Sequence, residues 1–266
     1  MTRLAWDNVG ERYFETGVDR GVLYIPTEPK GIPWNGLTAV NETASGGDAS
    51  PLYLDGQKFY NRSLAEEFEA SIEAYTYPEE FGICDGTATL DELDFTQQSR
   101  QPFNFSYRTR LGNDVDGVDF AYKIHIVYNA LAQPTSSNYQ TLSNSTSAMT
   151  FNWNITTTPV DVPGLRPTSH VVINSKRISS KTIGIIEDYL YGTELVDSGL
   201  LLPKDLLEIM PWLYFEIVPN ETTGINTLIV SEQLDVRGDP AEGIYRRTPR
   251  SRLKESSTSG FYTLEI

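Results

Sequence analysis

Few residues in this chain could do nucleophilic or acid–base chemistry. There are two histidines, His125 and His170, each in a run rich in β-branched and aromatic residues. At such positions a hydrogen-bonded structural imidazole is commoner than a catalytic base. The single cysteine, Cys84 in FGICDG, has no signature placing a histidine beside it, no serine stands in GxSxG, and HExxH is missing. Carboxylate pairs occur at Glu79 and Glu80, Asp91 and Glu92, and Asp235 and Asp239, and glycoside cleavage asks for only two at a suitable separation. With 36 acidic residues in the chain, such pairs arise without chemistry. The stretches DGTATLDELD (85–94) and NDVDGVD (113–119) suggest calcium, but the latter lacks the terminal glutamate of an EF-hand loop and reads as a solvated acidic turn. The cluster SGGDAS has neither lysine nor an adjoining helix, so it is no phosphate loop. No catalytic, cofactor-binding or metal-binding residue is assigned, and the chain is expected not to be an enzyme.

The positioning elements must come from a chain of 266 residues with 39% hydrophobic and 11% aromatic residues, enough to fold around a sizeable core. Against 21 basic residues the 36 acidic ones leave a net charge of −15. A standing nucleic-acid-binding role, which needs a basic footprint, is disfavoured. A surface that must avoid holding nucleic acid is still compatible with that charge. One cysteine permits no intramolecular disulfide and fits a reducing compartment. The first residues lack the apolar core of a signal peptide, so synthesis and folding in the cytosol are expected, and the sequons at Asn41, Asn61, Asn104, Asn144, Asn154 and Asn220 read as turn chemistry.

Short runs rich in Val, Ile, Tyr, Phe and Thr, punctuated by Gly, Pro, Asn and Asp, predict strands over residues 21–25, 37–43, 103–111, 120–131, 149–160 and 169–175. In LYLDGQKFYN, Asp55 and Gly56 stand between two aromatic-bearing runs and supply the positive φ angles of a tight hairpin. In AYKIHIVYNAL, residues Tyr122, Ile124, Ile126, Tyr128 and Ala130 alternate with Lys123, His125, Val127 and Asn129, as in a half-buried strand. Helices are predicted for SSKTIGIIEDYLYGT, capped by Ser179 or Ser180 and closed by Gly192, and for PKDLLEIM. Residues 66–81, EEFEASIEAYTYPEEF, fit a strand with Phe68, Ala70, Ile72 and Ala74 on one face, and equally a helix with Leu64, Phe68, Ile72 and Tyr75 in a stripe. Composition shifts after Met210, which divides the chain into a main domain, 1–210, and an appended, partly β segment, 211–266.

Taken in order, RYFETGVDRGVLY, GIPWNGLTAVNET with its SGGD loop, YLDGQKFYN, EEFEASIEAYTYPEEF followed by CDG, QPFNFSYRTRLGNDVDGVDFAYKIHIVYNALAQPTS, AMTFNWNITTTPVDVPGLRPTSHVVINS and the IEDYLYGT helix resemble the major tail protein, or tail tube subunit, of long non-contractile-tailed phages infecting actinobacteria. The resemblance runs from about Leu4 to Met210, and the segment beyond matches less well. It implies a mainly β fold, a β-sandwich or barrel flanked by one or two helices and shared with type VI secretion tubes, and it implies that 66–81 is a strand. It implies stacked hexameric rings that conduct the genome, built in the host cytoplasm into the virion, with the chain itself, a tape measure protein, a tail terminator and distal tail-tip proteins as partners. DNA would pass through the lumen without specific binding.

On that reading Glu67, Glu69 and Glu73, on the face of the strand opposite the apolar one, are candidates for a lumen or inter-ring acidic wall, the alternative being an exposed outer face that the carboxylates keep soluble. The Asp55–Gly56 hairpin and the long strand over 120–131 are candidates for edges at the subunit interface. The arm through Tyr13 and the loops SGGDAS and NDVDGVD are candidates for ring-to-ring contact. With 15 Tyr and 4 Trp, a carbohydrate-binding β-sandwich remains the alternative.

Overall fold

The computed structural model describes residues 4–28, 30–47, 49–63, 66–136, 139, 141 and 148–210, together with the strand backbones within 211–266. The chain separates into two compact units, Met1–Lys204 and Asp205–Ile266. The first contains β1 (Phe14–Tyr24), β2 (Ile32–Trp34), β3 (Leu37–Gly46), β4 (Ala49–Leu54), β5 (Gln57–Ser63), β6 (Glu66–Ala74), β7 (Ala88–Leu90), β8 (Leu93–Phe95), β9 (Phe103–Asn113), β10 (Gly117–Ala132), β11 (Phe151–Thr157) and β12 (His170–Asn174). Helices α1 (Gly82–Asp85) and α2 (Ser180–Tyr191) belong to it, and α3 (Pro203–Ile209) spans the boundary. The protein is mainly β, as expected.

Eight strands form one antiparallel sheet in the order β2-β1-β9-β10-β11-β6-β3, with β12 also beside β10. The 16-residue β10 makes this possible. One of its edges is taken by β9, while the other is shared, β12 pairing with Lys123–Val127 and β11 with Ala130–Ala132. Between the two partners lies Asn129, at φ 46°, where the register to β9 shifts. Asparagine tolerates this left-handed backbone better than a branched residue would. The irregularity resets the alternation, so that Val127 before it and Ala130 and Ala132 after it all enter one core cluster.

The expectation of a half-buried strand fails here, because Ile124 through Tyr128 are buried on both faces of β10. Helix α2 explains it. Thr182 N–H donates to the Ser179 hydroxyl at its start, and Ile183, Ile186 and Leu190 are buried. Glu187 pairs with Arg20 and accepts from Tyr122, while the Leu190 carbonyl accepts from the Tyr24 hydroxyl, so the helix lies across β1, β9 and β10. Strands covered by helix on one side and core on the other lose the hydrophobic–polar alternation.

On the opposite face the core is aromatic. The Trp34 ring lies 4.7 Å from Phe81, 5.3 Å from Phe105 and 5.6 Å from Trp153, and its indole N–H donates to the Thr76 carbonyl. The contacts with Phe105 and Trp153 are edge-to-face, and pairs of this kind add about 0.5–1.5 kcal/mol each beyond the area they bury. Cys84 is buried beside them, and burial pushes its thiol up to about 12, as suits a structural rather than a reactive sulfur.

Residues 66–74 form a strand, β6, paired on both sides by β3 and β11, and the helical reading is excluded. Phe68, Ala70, Ile72 and Ala74 turn to the core, the last three fully enclosed, but the strand stops at Ala74, and Pro78, in extended conformation, caps a 3-10 turn over Glu79–Phe81 where the strand expected over 66–81 would have continued. In the second unit, β13 (Trp212–Val218) pairs with β14 (Thr227–Gln233), and β15 (Arg252–Glu255) with β16 (Tyr262–Glu265).

Candidate functional site

Antiparallel partners directly opposite each other point to the same side of a sheet, which fixes what surrounds the acidic residues of β6. Glu69 stands between Thr43 and Thr156, Ser71 between Asn41 and Asn154, Glu73 between Ala39 and Asn152, and Glu67 opposite Ser45. This face of β11-β6-β3 therefore consists of Asn, Thr, Ser, Ala and Glu. Ser45 donates to Glu69 at 2.8 Å, and the Asn41 amide reaches Ser71 at 3.2 Å and Glu73 at 3.4 Å. Among the described residues, Glu67, Glu69 and Glu73 form no ion pair. The wall is negative and its neighbours are neutral.

β3 borders that wall and ends the sheet. Among the described residues its ten-residue outer edge pairs with no strand. The long β10, a candidate edge from sequence, is instead interior, because its length recruits partners on both sides. Of the SGGDAS loop, Asp48 lies outside the described residues. Beyond it the chain enters the β4–β5 hairpin, turned by Asp55 at φ 48° and Gly56 at φ 76°, the two positive angles the sequence predicted. Its side chains stand in solvent: Phe59 is 76% exposed and Tyr53 66%, with Leu52, Leu54 and Tyr60 also exposed.

The amino-terminal arm exposes Leu4, Trp6 and Val9. It is brought against the β9–β10 turn, where Gly10 N–H donates to Asp114 at 3.0 Å and the Tyr13 and Phe120 rings lie 5.4 Å apart. That turn is the NDVDGVD loop, closed by Asn113, whose side-chain carbonyl accepts from the Val115 and Asp116 backbones. The arm and the loop, both sequence candidates, thus share one end of the unit.

A polar cluster that sequence reading missed lies within the unit. Glu42 is directly opposite Ala70, so its side chain points to the inner face of edge strand β3. There it accepts from the Tyr107 hydroxyl at 2.5 Å and lies 3.1 Å from Nδ1 of His125, which is itself 3.1 Å from Nε2 of His170. The hydrogen bond to His125 holds the Glu42 carboxyl down at about 2, against the upward push of burial, with Tyr107 assisting. Burial pushes His170 down to about 4, and burial, then Glu42, drives the Tyr107 phenol far above its usual range. On the far side of His125, Nε2 lies 3.0 Å from the Thr109 hydroxyl, which donates to Glu15. Lys123 completes the chain with an ion pair to Glu15 at 2.5 Å. The only local signal in the sequence was two histidines at interior strand positions, and nothing in either run pointed to Glu42.

No protein-family model and no curated protein matches the chain. Among solved structures it is similar to a chain of an extracellular contractile injection system sheath–tube complex, at 16% identity and TM-score 0.30 over 58% of this chain and 88% of that one. It is also similar to a chain of the anti-feeding prophage baseplate, at 9% identity and TM-score 0.35 over 65% of this chain and 99% of the other. A chain of the anti-feeding prophage tube-terminating cap gives 11% identity and TM-score 0.29 over 66% and 97%. The first comes from a contractile injection system and the other two from the anti-feeding prophage. Superpositions this loose say nothing about what the chain binds or does.

Proposed function

We propose that this chain is a non-enzymatic tail tube subunit of a long non-contractile phage tail, assembling into stacked hexameric rings through which the genome leaves the virion. The supporting observation is what β3 brings together. Among the described residues the ten-residue β3 is hydrogen-bonded to a strand on one side only, it leads into a hairpin of exposed aromatic and aliphatic side chains, and it flanks a sheet face whose carboxylates meet only neutral partners. An open edge and a protruding apolar hairpin are aggregation hazards on a monomer and become interfaces when copies close into a ring. The acidic face gives the bore its sign, since a basic wall would hold DNA through counterion release whereas carboxylates repel it. The sequence resemblance over 4–210 supplies the ring size, the tape measure, terminator and tip partners, and the virion location.

The exposed Tyr53, Phe59 and Tyr60 would also suit stacking on a sugar, which keeps a carbohydrate-binding module as the second reading. One variant separates the two. Phe59→Asp in the hairpin is expected to leave the circular dichroism spectrum unchanged and to abolish concentration-dependent growth of particles in light scattering. Unchanged assembly would remove the hairpin from the interface, and glycan-array binding by a stable monomer would favour the second reading.

A further inference from the structure

Glu42, His125 and His170 meet in a way that hydrogen bonding among neutral side chains does not satisfy. The carboxylate of Glu42 can only accept, and its Oε1 already takes the Tyr107 proton. The Thr109 hydroxyl gives its one proton to Glu15, so toward His125 it is an acceptor and the Nε2 of that ring carries the hydrogen. Nδ1 of His125 faces both Glu42 Oε1 and His170 Nε2, each 3.1 Å away. One hydrogen on Nδ1 can serve Glu42 or His170 but not both, whereas a cation would serve all three donor atoms. The centre of the triangle calls for a positive charge.

We propose that these three residues bind one divalent transition-metal ion of the zinc type, linking the terminal strand β3 to β10 and β12. The three donor atoms lie within 4.8 Å of one another, and two of the separations, at 3.1 Å, are close to the roughly 3.3 Å expected between ligands about 2.0–2.1 Å from a tetrahedral ion. Two imidazoles and a carboxylate select zinc-like ions over magnesium or calcium. The donors are held from behind as metal ligands are: His125 through Thr109 and Glu15, Glu42 through the Tyr107 hydroxyl. Ring packing fixes the planes, Tyr107 stacking on His125 at 4.6 Å and Phe68 lying tilted against His170 at 4.4 Å. Glu42, with 39% of its side chain exposed, is the route by which an ion would arrive, and the fourth position is left to water. These are the only two histidines of the chain, and strands 45 residues apart bring them together.

The test is titration of the chelator-treated full-length chain with Co2+, read by visible absorption, and with Zn2+, read by calorimetry. One ion per chain, with a micromolar or tighter Kd and a d–d band of low-coordinate cobalt, is the expected result. His170→Gln and Glu42→Gln should each weaken binding by at least tenfold to a hundredfold while the folded circular dichroism spectrum persists, and Thr109→Val by about tenfold. Absence of stoichiometric binding by the wild-type chain would overturn the site without recourse to any variant. Binding unchanged in both ligand variants would place the ion elsewhere, and stabilisation by acid with no ion bound would reduce the cluster to a protonated histidine pair. Either result overturns the assignment.

Discussion

Asp19 shows how single side chains hold the outer strands in place. Arg108 grips it through both carboxylate oxygens, at 2.6 and 2.8 Å, and Arg110 adds contacts at 3.1 Å. The Arg108 hydrogen bonds, against the opposing pull of burial, hold the Asp19 carboxyl below its usual range. A carboxylate depressed in the folded state contributes stability in full above its unfolded value, about 3.9, and loses it as pH falls through the folded one. Asp19→Asn should therefore cost about 1–2 kcal/mol in urea unfolding at pH 7, and the gap to wild type should close below pH ~4. A gap that does not change with pH would contradict this. At the same scale, Glu67→Lys, Glu69→Lys and Glu73→Lys together should convert the acidic face into one that retains duplex DNA in a salt-dependent way in a filter-binding assay. Indifference to DNA would detach this face from the conduit. The alternation of β6 made these carboxylates legible in the sequence, once the strand period was chosen over the helical one. The His125–His170 contact was not legible, because it depends on the β10–β12 register and on a third strand supplying Glu42.

At the scale of elements, turn chemistry was the readable part. Asp55–Gly56 and Ser179 lie where their local physics puts them, since a positive φ pair or a capping hydroxyl needs only its neighbours. The double burial of β10 was unreadable, because alternation breaks down wherever a helix covers the second face and because Asn129 shifts the parity midway. Asn129→Val, which forces a β-branched residue into left-handed backbone, should cost about 1–3 kcal/mol, while Asn129→Gly should be tolerated. Thermal unfolding of the pair measures the difference, and equal effects would argue that the bulge is not strained. The amino-terminal arm makes its described contacts at the β9–β10 turn and leaves Leu4, Trp6 and Val9 in solvent. Deleting residues 1–13 should give a folded chain that fails to polymerise. Unimpaired tubes by electron microscopy would take the arm out of ring stacking.

At the scale of the whole molecule, a chain with net charge −15 exposes aromatic side chains on a hairpin and an arm, and among the described residues the outer side of β3 pairs with no strand. Charge repulsion keeps such a molecule dispersed when dilute, and apolar and strand-edge contacts drive association once concentration overcomes it. Among the described residues no helix is long and apolar enough to cross a membrane. The most direct test is negative-stain electron microscopy of the purified chain across a concentration series, paired with sedimentation velocity. Six-fold rings and stacked tubes with an open bore, growing in with concentration, are the predicted result. A single monomeric species at every concentration would contradict the account.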